Sequence, residues 1–236
     1  MFPFTKNIEL SSQISIPSSV VVDKVGALLT PDRKQKIDRV VAGRTFNVVS
    51  VLENIYDRGN ISAVMRSQEA MGFGQVHIIE TGEKFKESQR VTAGADKWLE
   101  AKKWKSTSSC VEHLKKNGYQ IVVTHLDETS KPIGEVDFTR KTALVLGNEK
   151  EGVSKEIIDA ADHRVILPMQ GFVQSYNISV AGALCFYHMS QDRIRRQGVH
   201  GDLSEEEKEI LKAQYYLRSL DSAQDLLKTL FLRNEL

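Results

Sequence analysis

Three short segments hold residues whose types and spacing could do chemistry. The first, Asp57-Arg-Gly-Asn60-Ile-Ser-Ala-Val-Met-Arg66, sets an asparagine before an arginine at the head of an amphipathic stretch. The amide can cap a helix or hold a ligand. The arginine, among Ala63, Val64 and Met65, either runs out to solvent or points at a bound anion. The second, Gly147-Asn-Glu149-Lys-Glu-Gly152-Val153-Ser, has the glycine spacing of a phosphate loop. Val153 stands where such a loop has its lysine, which argues against a nucleotide triphosphatase. The two glycines still let the backbone turn sharply, either as an ordinary connection or as a close approach to a ligand. The third, Leu167-Pro-Met-Gln-Gly171-Phe-Val-Gln-Ser175-Tyr176-Asn177, runs into a helix of small residues. Ser175 and Asn177 read as caps or as ligand-facing groups. With no adjacent histidine and no G-x-S-x-G elbow, a serine hydrolase is disfavoured. No G-x-G-x-x-G follows a strand.

These segments need elements to position them. The β-branched run at 47–52, the helical spacing of Ile61, Val64 and Met65 over 60–71 and the apolar run at 75–80 make one βαβ unit. Further strands are expected at 120–125, 143–146 and 164–167, and helices at 110–117, 154–161 and 179–195. Alternation of this kind predicts an α/β fold with a parallel sheet covered on both faces. The turn that feeds the Asn60 helix then lies at the carboxyl end of a strand, where ligand crevices form in such sheets. Residues 1–30 read as an extended or partly ordered lead. Thr30-Pro31-Asp32 opens a helix that stops at Gly43. Ser204-Glu-Glu-Glu207 is a capping box that opens a terminal helical element. Its apolar face, Leu227, Leu230 and Phe231, packs either on the same chain or on a second subunit. The expected domains are an N-terminal extension over 1–45, a body over 46–197 and a C-terminal extension over 198–236.

The chain has 236 residues, of which 41% are hydrophobic and 27% charged, which excludes collagen, a disordered chain and a disulfide scaffold. Lys and Arg number 32 against 31 Asp and Glu, so nucleic-acid binding must rest on local patches. Two stretches qualify: 24–44, with six basic and two acidic residues, and 81–116, with nine and five. In the first, Arg33, Lys36, Arg39 and Arg44 are the candidate phosphate contacts. Cys110 and Cys185 lie far apart, form no zinc ribbon and fit reduced thiols of an intracellular protein, cytoplasmic or organellar. No apolar run is long enough for a membrane span.

In order and spacing, Asn60 to Arg66, Leu144-Val-Leu-Gly-Asn-Glu149 to Gly152-Val, and Leu167-Pro-Met to Ser175-Tyr-Asn177 resemble the three motifs of the SpoU (TrmH) family of RNA 2′-O-ribose methyltransferases. The similarity extends over 48–195, and 30–44 resembles the N-terminal basic helix of the tRNA-modifying members. The resemblance implies a SPOUT α/β fold with a deep C-terminal trefoil knot, a homodimer and S-adenosyl-L-methionine held in the knot without a metal. It implies catalytic roles for Arg66, Asn60, Glu149, Ser175 and Asn177. It places Thr124, Gly147, Leu167 and Tyr176 in the cofactor pocket. The implied partner is RNA, and the expected target is the ribose of guanosine 18 in the tRNA D-loop. The alternatives are another tRNA or rRNA ribose, or a non-catalytic RNA-binding protein of the same fold, which intact Arg66, Ser175 and Asn177 argue against. Arg58-Gly59 stands where the family pattern expects Pro-His or a similar pair.

Overall fold

The computed structural model describes residues 1–82, 94–233 and 235. The chain divides into two compact units, one of Thr45–His200 with Met1 and one joining Phe2–Arg44 to Gly201–Leu236. The latter opens with a hairpin of β1 (Asn7–Ser11) and β2 (Ile14–Pro17), followed by α1 (Ser18–Gly26) and α2 (Pro31–Ala42). Ordered structure therefore occupies the stretch read as a loose lead. Ile8, Leu10 and Ile16 alternate inward from the hairpin, and Val21 and Val25 form a helical stripe, all buried. Thr30 caps α2 as expected, its hydroxyl accepting from the Arg33 amide at 3.3 Å.

The other unit is built on seven parallel strands: β3 (Val48–Glu53), β4 (Gln75–Ile79), β5 (Glu100–Trp104), β6 (Gln120–Thr124), β7 (Lys131–Pro132), β8 (Thr142–Leu146) and β9 (His163–Ile166). Their order across the sheet is β5-β4-β3-β8-β6-β9-β7. The helices of this unit are α3 (Arg58–Ala70), α4 (Thr107–Lys116) and α5 (Lys155–Ala160), which connect strands, and α6 (Ile178–Gln197), which follows β9. Strand β3 is buried along its whole length, as a central parallel strand must be. Its Val48 and Leu52 join one core with Val64, Met65, Cys185, Phe186 and Met189 of α3 and α6. Its Val49 and Val51 join the opposite core with Cys110, Leu114 and Ile157 of α4 and α5. Gly182 lets α6 lie close to its neighbours, because a Cβ there would stand 3.2 Å from Leu146 and 3.4 Å from Val64.

Strand β9 inserts between β6 and β7, with Thr124 and Lys131 both level with Val165 on its two sides. Residues 125–130 therefore carry the chain across β9. This link is tied down by Arg164, which donates to Asp127 at 3.3 Å and to Thr129 at 3.2 Å. The Thr129 hydroxyl, then Ser130 and the Thr129 amide, hold the Asp127 carboxyl down at about 2.

Helices α7 (Glu205–Ser219) and α8 (Ala223–Leu232) complete the unit that opens with the β1–β2 hairpin, with the capping box at Ser204 formed as read. Ala223 and Leu227 of α8 are buried within the chain, while Phe231 stays 40% exposed. Among the described residues no helix is long and apolar enough to cross a membrane.

Candidate active site at the carboxyl ends of the central strands

Helix α3 begins two residues earlier than the sequence spacing predicts, and this decides what Asn60 does. Asp57 is the cap, its carboxylate accepting from the Gly59 amide at 2.7 Å. Asn60 is thereby released from capping and lies in the first turn. Its Nδ2 donates to Glu149 Oε1 at 2.7 Å, and its Oδ1 accepts from Asn177 Nδ2 at 3.2 Å. Asn177 is itself the cap of α6, accepting from the Ser179 amide at 2.9 Å. Three segments far apart in the chain thus meet at one polar cluster. Each heavy-atom distance lies within or at the edge of normal hydrogen-bond range.

The loop that carries Glu149 is held from behind. Asn148 is buried, and its amide donates to the Asn54 carbonyl at 2.8 Å, while its Oδ1 accepts from the Lys150 amide at 2.7 Å. The backbones of Asn148 and Gly152 exchange two hydrogen bonds of 2.9 Å, closing the loop on itself. A Cβ at Gly147 would lie 2.4 Å from the Gly152 carbonyl carbon, so glycine is required there by the loop's own backbone. Asn54, which follows β3, has a positive φ of 51°, and its Oδ1 accepts from the Thr81 amide at 3.0 Å. Before it, the buried Glu53 carboxylate accepts from Thr107 Oγ1 at 2.8 Å and from Ser154 N and Oγ at 2.8 and 2.7 Å. Glu53 thereby ties the starts of α4 and α5 to the end of β3. The roles of Glu53, Asn54 and Asn148 went unread in the sequence. The one available signal was a carboxylate and an amide closing a strand that is apolar except for Ser50.

The remaining sequence candidates fall in three groups. Thr124, Gly147 and Leu167 stand at or just past the ends of β6, β8 and β9, which are neighbours in the sheet. Thr124 Oγ1 donates to the Val145 carbonyl at 3.2 Å. Arg66, Ser175 and Tyr176 are exposed, and none of their side chains makes a hydrogen bond or ion pair with a described residue. Arg66 projects from α3 away from the buried Val64 and Met65. In the basic helix α2, Lys36 and Arg39 are exposed, and Arg33 donates to Ser219 at 3.3 Å. Arg44 corrects the sequence reading. It is 1% exposed, with its guanidinium 5.9 Å from the centroid of the Tyr215 ring, so it cannot reach an RNA backbone. Of the second basic stretch, 83–93 lies outside the described residues.

Residues 47–187 match the SpoU rRNA Methylase family. The chain belongs to this family. Among its relatives, the tRNA (guanosine(18)-2′-O)-methyltransferase of Borreliella burgdorferi is 37% identical over 83% of this chain and 91% of its own length. The crystal structure of the A. aeolicus TrmH/SpoU tRNA modifying enzyme superposes with a TM-score of 0.70 at 31% identity, covering 80% of this chain and 98% of that one. The SpoU methyltransferase AviRb from Streptomyces viridochromogenes, solved in complex with the cofactor AdoMet, superposes at 0.53 with 25% identity, covering 62% of this chain and 57% of that one. In open α/β sheets ligands bind outside the carboxyl ends of neighbouring strands. In this chain Thr124, Gly147 and Leu167 stand at those ends on the neighbouring strands β6, β8 and β9. The exposed Leu126, Val173 and Tyr176 stand on the loops that follow, which suits a flat heterocycle with backbone hydrogen-bonding edges. The residues present fit S-adenosylmethionine.

Proposed function

We propose that the protein methylates a ribose 2′-hydroxyl of tRNA, at guanosine 18, with S-adenosylmethionine as donor. The single observation that carries this is the convergence of Asn60, Glu149 and Asn177 in a chain of the SpoU family. The relatives that act on guanosine 18 add the nucleotide. Bound S-adenosylmethionine supplies an electrophilic methyl group, and Thr124, Gly147, Leu167 and Tyr176 would hold it.

The chain's own residues must orient a hydroxyl and receive its proton. A charged guanidinium has five donors and no acceptor, so Arg66 in its ordinary state grips a phosphate and steers the hydroxyl rather than taking its proton. Asn60 keeps one orientation because its amide donates to a carboxylate and its carbonyl accepts from Asn177. The acceptor in the cluster that can carry a proton is Glu149. Holding the hydroxyl in line with the methyl group supplies much of the rate. Ser175 lies two residues before Asn177 and lines the same approach.

In this reading 46–197 is the methyltransferase domain, with extensions over 1–45 and 198–236, and the crossing of 125–130 over β9 belongs to a trefoil knot. Lys36 and Arg39, with Arg33, are the RNA contacts of α2. The active form is a homodimer. The test is radiolabelled methyl transfer to an unmodified tRNA transcript, followed by mapping of the methylated ribose. Label at guanosine 18 is expected. Label on another ribose would move the specificity, and no transfer to any RNA would overturn the reading.

A further inference from the structure

The edge strand β5 and helix α4 carry a surface that the chemistry above does not use. Over 94–118 the chain has six lysines against three carboxylates. Both of its tryptophans, Trp98 and Trp104, stand there. The Lys102 ammonium lies 4.4 Å from the centroid of the Trp104 ring. Trp104 Nε1 donates to Nδ1 of the buried His77 at 2.9 Å, which fixes the plane of the indole. His113 of α4 packs on the same indole, with ring centroids 5.1 Å apart. Lys102, Lys105 and Lys116 are exposed. The field of these cations is felt inside. Burial first, then Lys102 and Lys116 among the nearby charges, depresses the His113 imidazole below its usual range.

This surface is joined to the rim of the active site. The Trp104 carbonyl accepts from the Glu80 amide at 3.0 Å, and the next residue, Thr81, donates to Asn54, which holds Asn148 in the Glu149 loop. Strand β5 stands two places from β3, roughly 10 Å away at the usual strand spacing. We propose that the β5 edge, through Lys102, Lys105, Lys116 and Trp104, is a second RNA contact that grips the strand flanking the methylated nucleotide. This rests on the reading of RNA as substrate. Cations for phosphates and an indole for a base are the two features that hold single-stranded nucleic acid without reading its sequence. Lysines also guard sheet edges against pairing. That task calls for neither Lys116 on α4 nor an indole anchored by a buried histidine.

The test combines Lys102→Gln, Lys105→Gln and Lys116→Gln in the full chain and titrates it with unmodified tRNA transcript over a range of salt. Affinity should fall about tenfold or more. The slope of log affinity against log salt should shrink by about 2, at ~0.7 for each lost contact to a single strand. S-adenosylmethionine affinity and kcat at saturating tRNA should hold. In Trp98→Phe, where Trp104 is the remaining indole, tRNA should quench emission in a salt-sensitive way. An unchanged slope and affinity, or Trp104 emission indifferent to tRNA, would overturn the surface and leave the proposed function standing. A fall in kcat with KM unchanged would also overturn it. A parent chain that binds S-adenosylmethionine but neither binds nor methylates RNA would sink both.

Discussion

Arg66 and Asn60 stand on one helix, the first exposed without a partner among the described residues, the second held by Glu149 on one side and Asn177 on the other. An exposed arginine with no partner should cost under ~0.5 kcal/mol of stability when removed. If it steers the reacting hydroxyl, Arg66→Ala should lower methyl transfer by orders of magnitude at saturating cofactor. Arg66→Lys should rescue poorly, since an ammonium lacks the planar fork. A rate above a tenth of the parent's, in a variant that still binds S-adenosylmethionine, would remove Arg66 from the reaction. Asn60→Ala breaks two hydrogen bonds in a half-exposed place, so about 1 kcal/mol of stability should go, together with a larger loss of kcat. The motif residues were legible because their order and spacing resemble a family pattern. Glu53, Asn54 and Asn148 were not, since their partners are up to a hundred residues away in the chain. Arg44 was misread because a count of charges along a sequence carries no information about burial. Arg44→Gln should therefore lower thermal stability, whereas Lys36→Gln with Arg39→Gln should flatten the salt dependence of tRNA binding and leave the melting temperature in place.

Strand β4 and helix α4 enclose His77, whose burial, with His113 and then Lys102 nearby, pushes the imidazole from 6.5 down to about 3. In the unfolded chain His77 takes a proton below its ordinary pKa, while in the folded chain it stays neutral. The unfolded state therefore gains protons first, and stability falls as pH drops from about 6.5 toward 3, by up to ~1.4 kcal/mol per pH unit for this one group. His77→Asn keeps an acceptor for Trp104 without a titrating ring. Denaturant midpoints across that range should fall less steeply for it than for the parent, by about one proton. An equal slope would show that His77 is not a source of acid sensitivity. At the same scale, Gly147→Ala forces a methyl group into the Gly152 backbone and should cost about 1–3 kcal/mol or open the Glu149 loop. Calorimetry should then register weaker S-adenosylmethionine binding. The long apolar strands and the capped helices were readable from period and caps. Strand β5 was not, because Glu-Ala-Lys-Lys-Trp has the composition of a solvated edge. The β1–β2 hairpin and α1 were hidden by short runs rich in serine.

The unit that carries the site leaves apolar side chains uncovered along one side of α6, interrupted only by Gln191. On α6, Val180, Leu184, Tyr187 and Ile194 are 45%, 41%, 56% and 43% exposed, and they recur at helical spacing along one side. The loop before the helix adds Phe172 and Val173, at 107% and 67%. The opposite side of α6 is already spent, with Cys185, Phe186 and Met189 wholly buried against the sheet. Single exposed apolar side chains are ordinary, but a contiguous patch on a helix marks an interaction surface. A stripe along one helix suits a two-fold contact, in which the same residues meet their own copies and the assembly closes at two. The expected mass by light scattering is therefore about twice 26.6 kDa at micromolar concentration. Leu184→Glu sets like charges near the axis and leaves the packed side of α6 untouched. It should shift the protein to the mass of one chain without loss of helical circular dichroism. Leu184→Met, similar in volume and apolar, should remain dimeric. A parent protein that runs as a single chain, or a Leu184→Glu variant still at twice the mass, would show that α6 does not join two copies.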